Sequence, residues 1–193
     1  MIAGILLAAG AGTRFGGRKL LYPLASGTPV GVAALRSLQS ALPRVVCVVR
    51  PGDDELRQLL ASERAPVIEC AEADRGMGHS LAAGIAAESG ADGWVIALGD
   101  MPHIRPDTIR AVAQALEQGA QVVVPVFAGQ RGHPVGFGPR FRDHLLALSG
   151  DSGARAILTA HASAVRELAV DDPGVVQDVD TKADAARLAG HDQ

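Results

Sequence analysis

The chain is poor in aromatic residues, with one Trp, one Tyr and four Phe among 193 positions. Since 48% of the residues are nevertheless apolar, the interior must come from Ala, Val, Leu and Ile, which predicts aliphatic strands and alanine-rich helices. Cysteine is nearly absent. Cys47 lies inside an apolar run and Cys70 ends another, so they have neither metal-pair nor redox-pair spacing. They are expected to be reduced core thiols of a cytoplasmic protein. A basic excess is missing too: 18 Lys and Arg, scattered along the chain, face 21 Asp and Glu, which argues against a nucleic-acid partner. Nor is there an apolar stretch able to span a bilayer. The opening run meets glycine after about seven residues and has no basic flank of the signal-peptide kind, so no membrane association is expected and residues 2–8 read as a buried first strand.

What is present is an alternation of apolar runs with helical patterns. Strands are expected at 2–8, 45–49, 67–70, 94–98, 121–125, 135–137, 165–170 and 175–179. Helices are expected at 30–42, from Asp53 or Asp54 onward, after the loop 71–78 as far as about Gly90, from Pro106, around 142–148, from Asp151 or Ser152 to about His161, and after Thr181, which forms a capping box with Asp184. Residues 127–132 read as a loop. Strands alternating with helices predict an α/β fold whose mostly parallel sheet is covered on both faces, with ligands outside the carboxyl ends of the strands. No repeat, low-complexity stretch or linker divides residues 1–193, so one domain is expected.

Residues 7–19, LAAGAGTRFGGRK, follow the first strand. The glycines let the backbone curl so that several N–H groups face phosphate oxygens, while Arg14 and Lys19 neutralise charge. Two familiar phosphate loops fail on residues. A dinucleotide fingerprint needs a third glycine where Phe15 stands, and a P-loop needs Lys followed by Ser or Thr where Arg18, Lys19 and Leu20 stand. A plain glycine-rich turn is the alternative. Residues 76–81, GMGHSL, open a helix; Gly76 and Gly78 permit close approach and Ser80 can donate to a base or ribose, although a glycine turn capped by Ser would look the same. His79 is expected to face solvent.

Asp100 directly follows an apolar strand in LGDMP, which suits either a hard cation such as Mg²⁺ or a turn before Pro102. A second carboxylate would complete the grip. Asp180 in DVDT is the candidate, with Asp178 on the other strand face, and a helix-preceding Asp is the plainer reading. Arg131 in RGHP and Arg155 in GDSGAR suit bidentate phosphate contact, and His133 is either an acceptor contact or a turn residue.

These segments, in order, resemble the nucleotidyltransferases with a glycosyltransferase-A-like, Rossmann-like fold, and most of all the molybdenum-cofactor cytidylyltransferases. The resemblance implies a three-layer α/β/α architecture in which Leu7, Ala8, Ala9, Gly10, Gly12, Arg14 and Lys19 hold the triphosphate and Gly76, Gly78 and Ser80 the base side. It implies Mg²⁺ on Asp100 and Asp180, an acceptor side at Arg131, His133 and Arg155, and Arg14, Lys19 and Asp100 in catalysis. Ala9, where guanylyltransferase relatives carry glycine, implies CTP as donor. The implied acceptor is the terminal phosphate of molybdopterin, with a molybdoenzyme as possible partner. Transfer to a sugar phosphate, a nicotinamide oxidoreductase and a non-catalytic cofactor carrier remain as other readings.

Overall fold

The computed structural model describes residues 1–10, 12, 15–151 and 153–188, with side chains through Ala185. Its eight strands are β1 (Ile2–Leu7), β2 (Val45–Val49), β3 (Val67–Glu69), β4 (Gly93–Leu98), β5 (Val122–Phe127), β6 (Gln130–Arg131), β7 (Val135–Phe137) and β8 (Val165–Ala169). Seven α-helices are described: α1 (Val30–Ala41), α2 (Asp54–Ser62), α3 (Met77–Ala87), α4 (Pro106–Glu117), α5 (Arg142–Leu146), α6 (Arg155–Ala160) and α7 (Lys182–Leu188). The sheet runs β3-β2-β1-β4-β7-β5-β6, with β8 on β5. Only β6 and β7 run against the other strands, so the sheet is mixed but mostly parallel.

Period-two alternation divides the core into two halves. Leu6, Cys47, Val49, Val95 and Val123 face α1, α2 and α4, whereas Ile5, Val46, Val48, Ile96 and Val124 face α3, Leu145 of α5, Ile157 of α6 and the Phe141 ring that precedes α5. Both faces are therefore covered, as long apolar strands such as β1 and β2 require. From β1 the chain moves through α1 to β2 on one side, and from β3 through α3 to β4 on the other. The strand order thus reverses between β1 and β4, where crevices open at the carboxyl ends.

Three segments depart from expectation. Residues 127–132 hold a hairpin, because Ala128 (φ 49°) and Gly129 (φ 81°) form a two-residue turn between β5 and β6. The helix expected from Asp151 or Ser152 begins at Arg155, and Ser152 lies outside the described residues. The last expected strand, 175–179, is not one: Pro173–Val176 is a 3-10 turn and the chain then runs irregularly. Pro173 has no N–H to give a ladder, and the buried Asp172 carboxylate accepts from Gly174 N (3.0 Å), Arg105 N (2.9 Å) and the Thr108 hydroxyl (2.7 Å). That anchor clamps the segment to the start of α4. The Thr181–Asp184 capping box is present, each residue accepting from the other's backbone N–H (3.1 and 2.8 Å).

Candidate active site

β1 and β4 pair along their whole length, so their following loops emerge side by side. Gly99 N donates to Leu7 O (2.9 Å), which sets Asp100 next to the glycine loop. That loop closes on itself through Phe15 N and Gly17 N, both donating to Gly12 O (3.0 and 3.1 Å), and delivers Lys19 at the head of a 3-10 turn. A third segment joins them: Val179 N donates to Asp100 O (2.9 Å), carrying Asp180 alongside.

At this junction Lys19 Nζ donates to Asp100 Oδ2 (2.7 Å) and Asp180 Oδ1 (3.0 Å). Burial disfavours the ammonium, but the hydrogen bond to and attraction of Asp100, then those of Asp180, outweigh it and hold Lys19 above its ordinary value of 10.5. Asp100 Oδ1 is shielded from solvent and has no hydrogen-bond partner. A buried carboxylate oxygen with an unused lone pair, beside a second carboxylate, is the donor set a hard divalent cation takes when phosphate and water complete its shell. Among the described residues no cluster of three metal-ligating side chains exists, so such a cation needs those outside ligands.

Two neighbouring crevices share part of their walls. One, of about 500 Å³, is lined by Ala9, Gly10, Gly12, Lys19, Ser80 and Asp100 among others. The other, of about 840 Å³, has Arg131, His133 and Arg155 on its wall together with apolar side chains such as Leu81, Ile96 and Val124. Leu7, Met77, Leu98 and Asp151 border both.

The remaining expected residues separate into those that reach the crevices and those that support them. Ala8 points into the core and its N–H donates to Val48 O (2.8 Å), so it offers the crevice nothing directly. Arg14 lies outside the described residues. Gly76 and Gly78 approach the protein's own backbone: a Cβ on Gly76 would meet Gly150 C at 2.2 Å, one on Gly78 would meet Ser149 C at 2.8 Å, and Gly78 N donates to Gly150 O (2.8 Å). Ser80 is buried within α3 and is not its cap, which is Gly76. His79 is not solvent-facing as expected; its side chain is 16% exposed and Nδ1 sits 3.5 Å from Glu72. Arg131 Nε donates to Glu167 Oε1 (2.7 Å) on β8. Asp178 is exposed in the irregular stretch, with no strand face to occupy.

Arg50 was not anticipated. It follows β2 directly, as Asp100 closely follows β4, lines the smaller crevice and pairs with Asp74. A charged residue just past an apolar strand was the available signal.

His133 sits where residues 133 and 175 are joined, its N–H donating to Val175 O (2.8 Å), and its Nδ1 is buried without a partner. Burial lowers its pKa below the ordinary 6.5, against the attraction of Asp100 and Asp178 and a hydrogen bond with the Ile96 backbone. The unfolded chain therefore takes up this proton first on acidification. Its stabilising share is present above about pH 6.5 and is lost as the pH falls towards the depressed folded value. The fall in urea midpoint between pH 7.5 and 5.5 is accordingly expected to be smaller in His133→Asn than in the wild type.

A mostly parallel α/β sheet, with a glycine loop, a lysine and two carboxylates gathered at its order reversal, defines a class of proteins that handle phosphorylated ligands at strand carboxyl ends. Within it, the chain belongs to the family described as the MobA-like NTP transferase domain, whose model matches residues 4–165, and is with it a nucleotidyltransferase. The purine catabolism protein PucB of Bacillus subtilis is 35% identical over 192 residues, covering 93% of this chain and 92% of PucB. Nicotine blue oxidoreductase of Paenarthrobacter nicotinovorans is 30% identical over 201 residues, covering 97% and 96%. The crystal structure of Rv0371c from Mycobacterium tuberculosis matches at TM-score 0.84 and 32% identity over 98% of this chain and 97% of that one. Its complex with manganese matches at 0.81 and 30%, over 98% of each.

Proposed function

We propose that this protein is a cytoplasmic, Mg²⁺-dependent cytidylyltransferase that transfers CMP from CTP to the terminal phosphate of molybdopterin for delivery to a molybdoenzyme. The observation that carries this reading is the meeting of Lys19 with Asp100 and Asp180, Lys19 and Asp100 standing on the wall of the smaller crevice. An acceptor phosphate oxygen attacks the α-phosphorus, the bond from that phosphorus to the β-bridging oxygen breaks, and pyrophosphate leaves. No general base is needed, because a phosphate monoester is largely ionised above its second pKa of about 6.

In the smaller crevice the glycine loop orients the triphosphate and Lys19 neutralises the departing pyrophosphate; Arg14 shares that role by resemblance. Asp100 and Asp180 would hold Mg²⁺, which when bound polarises phosphoryl oxygens and offsets their charge. The Rv0371c complex with manganese agrees with a divalent cation in this family. The larger crevice combines Arg131 and Arg155 with Leu81, Ile96 and Val124, which favours an acceptor with a flat, partly apolar body and a phosphate over a sugar phosphate, whose hydroxyls need polar partners. CTP rests on Ala9.

One relative carries the name of an oxidoreductase, so hydride chemistry is the second reading. Phe15 opposes a dinucleotide loop here: it is buried edge-to-face on Tyr22, with centroids 5.1 Å apart, at the position where such a loop needs glycine. Among the described residues no helix is long and apolar enough to cross a membrane.

Pyrophosphate release, measured with Mg²⁺, molybdenum cofactor and each ribonucleoside triphosphate in turn, tests the proposal. Release with CTP alone is expected. Release with another nucleotide overturns the base, release with a sugar phosphate but not the cofactor overturns the acceptor, and nicotinamide turnover without pyrophosphate favours the second reading.

A further inference from the structure

The larger crevice, of about 840 Å³, carries charge of both signs between apolar walls. Arg131 and Arg155 suit an acceptor phosphate, and Leu81, Ile96, Val124 and Leu158 suit a flat body. Asp151 is the one carboxylate among the described residues that line it. A carboxylate repels a phosphorylated acceptor, so its place on this wall calls for another kind of group on the ligand, one that donates hydrogen bonds.

The chain holds Asp151 in place through its backbone. Gly150 (φ 68°) and Gly153 (φ 48°) turn the loop on either side of it, and Gly150 O accepts from Gly78 N at the start of α3 (2.8 Å). The fit to α3 is close: a Cβ on Gly76 would stand 2.7 Å from Asp151 N. Asp151 is itself exposed, and its carboxylate makes no hydrogen bond or ion pair with any described residue. Nor is it a third member of the Asp100 and Asp180 pair, since among the described residues no three ligating side chains stand close enough to hold a metal. Although Asp151 also borders the smaller crevice, the chain beyond it, at Gly153, Ala154 and Arg155, lines the larger one alone.

We propose that Asp151 selects the acceptor, its two carboxylate oxygens accepting adjacent amide and amine N–H groups on the edge of a flat heterocycle. This rests on the reading of molybdopterin as acceptor and deepens it, because a pterin presents such an edge, N3–H beside the 2-amino group. Two parallel N–H···O bonds to one carboxylate are charge-assisted and fix the direction of the ring as well as its position. Apolar walls cannot do that, since they accept a flat body in any rotation about its own axis. A heterocycle with a carbonyl in place of the amine turns a lone pair towards the carboxylate, and the crevice rejects it.

The test compares two fluorescent probes, pterin-6-carboxylate and lumazine-6-carboxylate, which carry an amine and a carbonyl respectively at position 2. Each is titrated into wild type and Asp151→Asn, both shown to be folded by circular dichroism. Wild type should bind the pterin at least about tenfold more tightly than the lumazine. In Asp151→Asn that preference should vanish or reverse, because the side-chain amide donates to the 2-carbonyl while its oxygen accepts from N3–H. In pyrophosphate release the same variant should raise KM for molybdenum cofactor without moving that for CTP. Equal affinities in wild type, an unchanged preference in Asp151→Asn, or a shift in KM for CTP alone overturns the role. Binding of neither probe by wild type overturns it too. Turnover of molybdenum cofactor by that wild type would then leave the acceptor reading standing without Asp151, and no turnover would mean that the acceptor reading had failed as well.

Discussion

Asp100→Asn is expected to lower kcat/KM for nucleotidyl transfer by about a thousandfold or more, the equivalent of roughly 4 kcal/mol of transition-state stabilisation, while the protein stays folded. The structural duty of this residue is done by its backbone, whose carbonyl accepts from Val179 N, and an asparagine keeps that bond. Its Oδ1 has no partner to lose, and Lys19 retains Asp180. Stability should therefore change by about 1 kcal/mol or less. Pyrophosphate release and chemical denaturation on the same preparation check both halves. Activity within tenfold of wild type would remove Asp100 from the chemistry, and a carrier that merely delivers cofactor would keep its cofactor affinity with no turnover to lose. Asp180→Asn should act in the same direction but less, since its side chain is more exposed, at 36% against 24%.

Gly76→Ala should cost about 2–4 kcal/mol of stability and distort both crevices. Gly76 holds φ 123° and ψ 160°, a region open to glycine almost alone. A methyl there would stand 2.2 Å from Gly150 C and 2.7 Å from Asp151 N, backbone atoms that cannot turn aside. Relief requires the 149–151 loop to lift, and Asp151 of that loop borders both crevices. Gly52→Ala is the control: φ is 79° but nothing lies within 4 Å of the added carbon, so only the left-handed strain of about 1 kcal/mol applies. Urea denaturation of the two variants should separate them clearly. Equal losses would mean that the loop yields freely and that the tight approach at Gly76 matters little.

The local parts of this structure were legible because their causes are local. Apolar runs such as 45–49 and 94–98 cannot be solvated and so become buried strands; Pro106 and the Thr181–Asp184 pair mark helix starts through the backbone groups they omit or satisfy. The hairpin at Ala128–Gly129 escaped notice because alanine rarely takes positive φ. The strand expected at 175–179 failed because Val175 and Val179 are buried for another reason: they seal the segment that Asp172 anchors.

By itself, then, the sequence determined the alternating α/β pattern, the glycine loop with Lys19, and Asp100 at a strand's carboxyl end, since periodicity and turn chemistry act over a few residues. Tertiary structure alone decided that the segment carrying Asp180 runs alongside Asp100, where Val179 N donates to Asp100 O, and that Lys19 bonds to both carboxylates. It also decided that Gly76 and Gly78 serve the 149–151 loop, and that His133 buries Nδ1 beside the larger crevice. These depend on which distant loops the sheet order brings together, and no local pattern of residues carries that information.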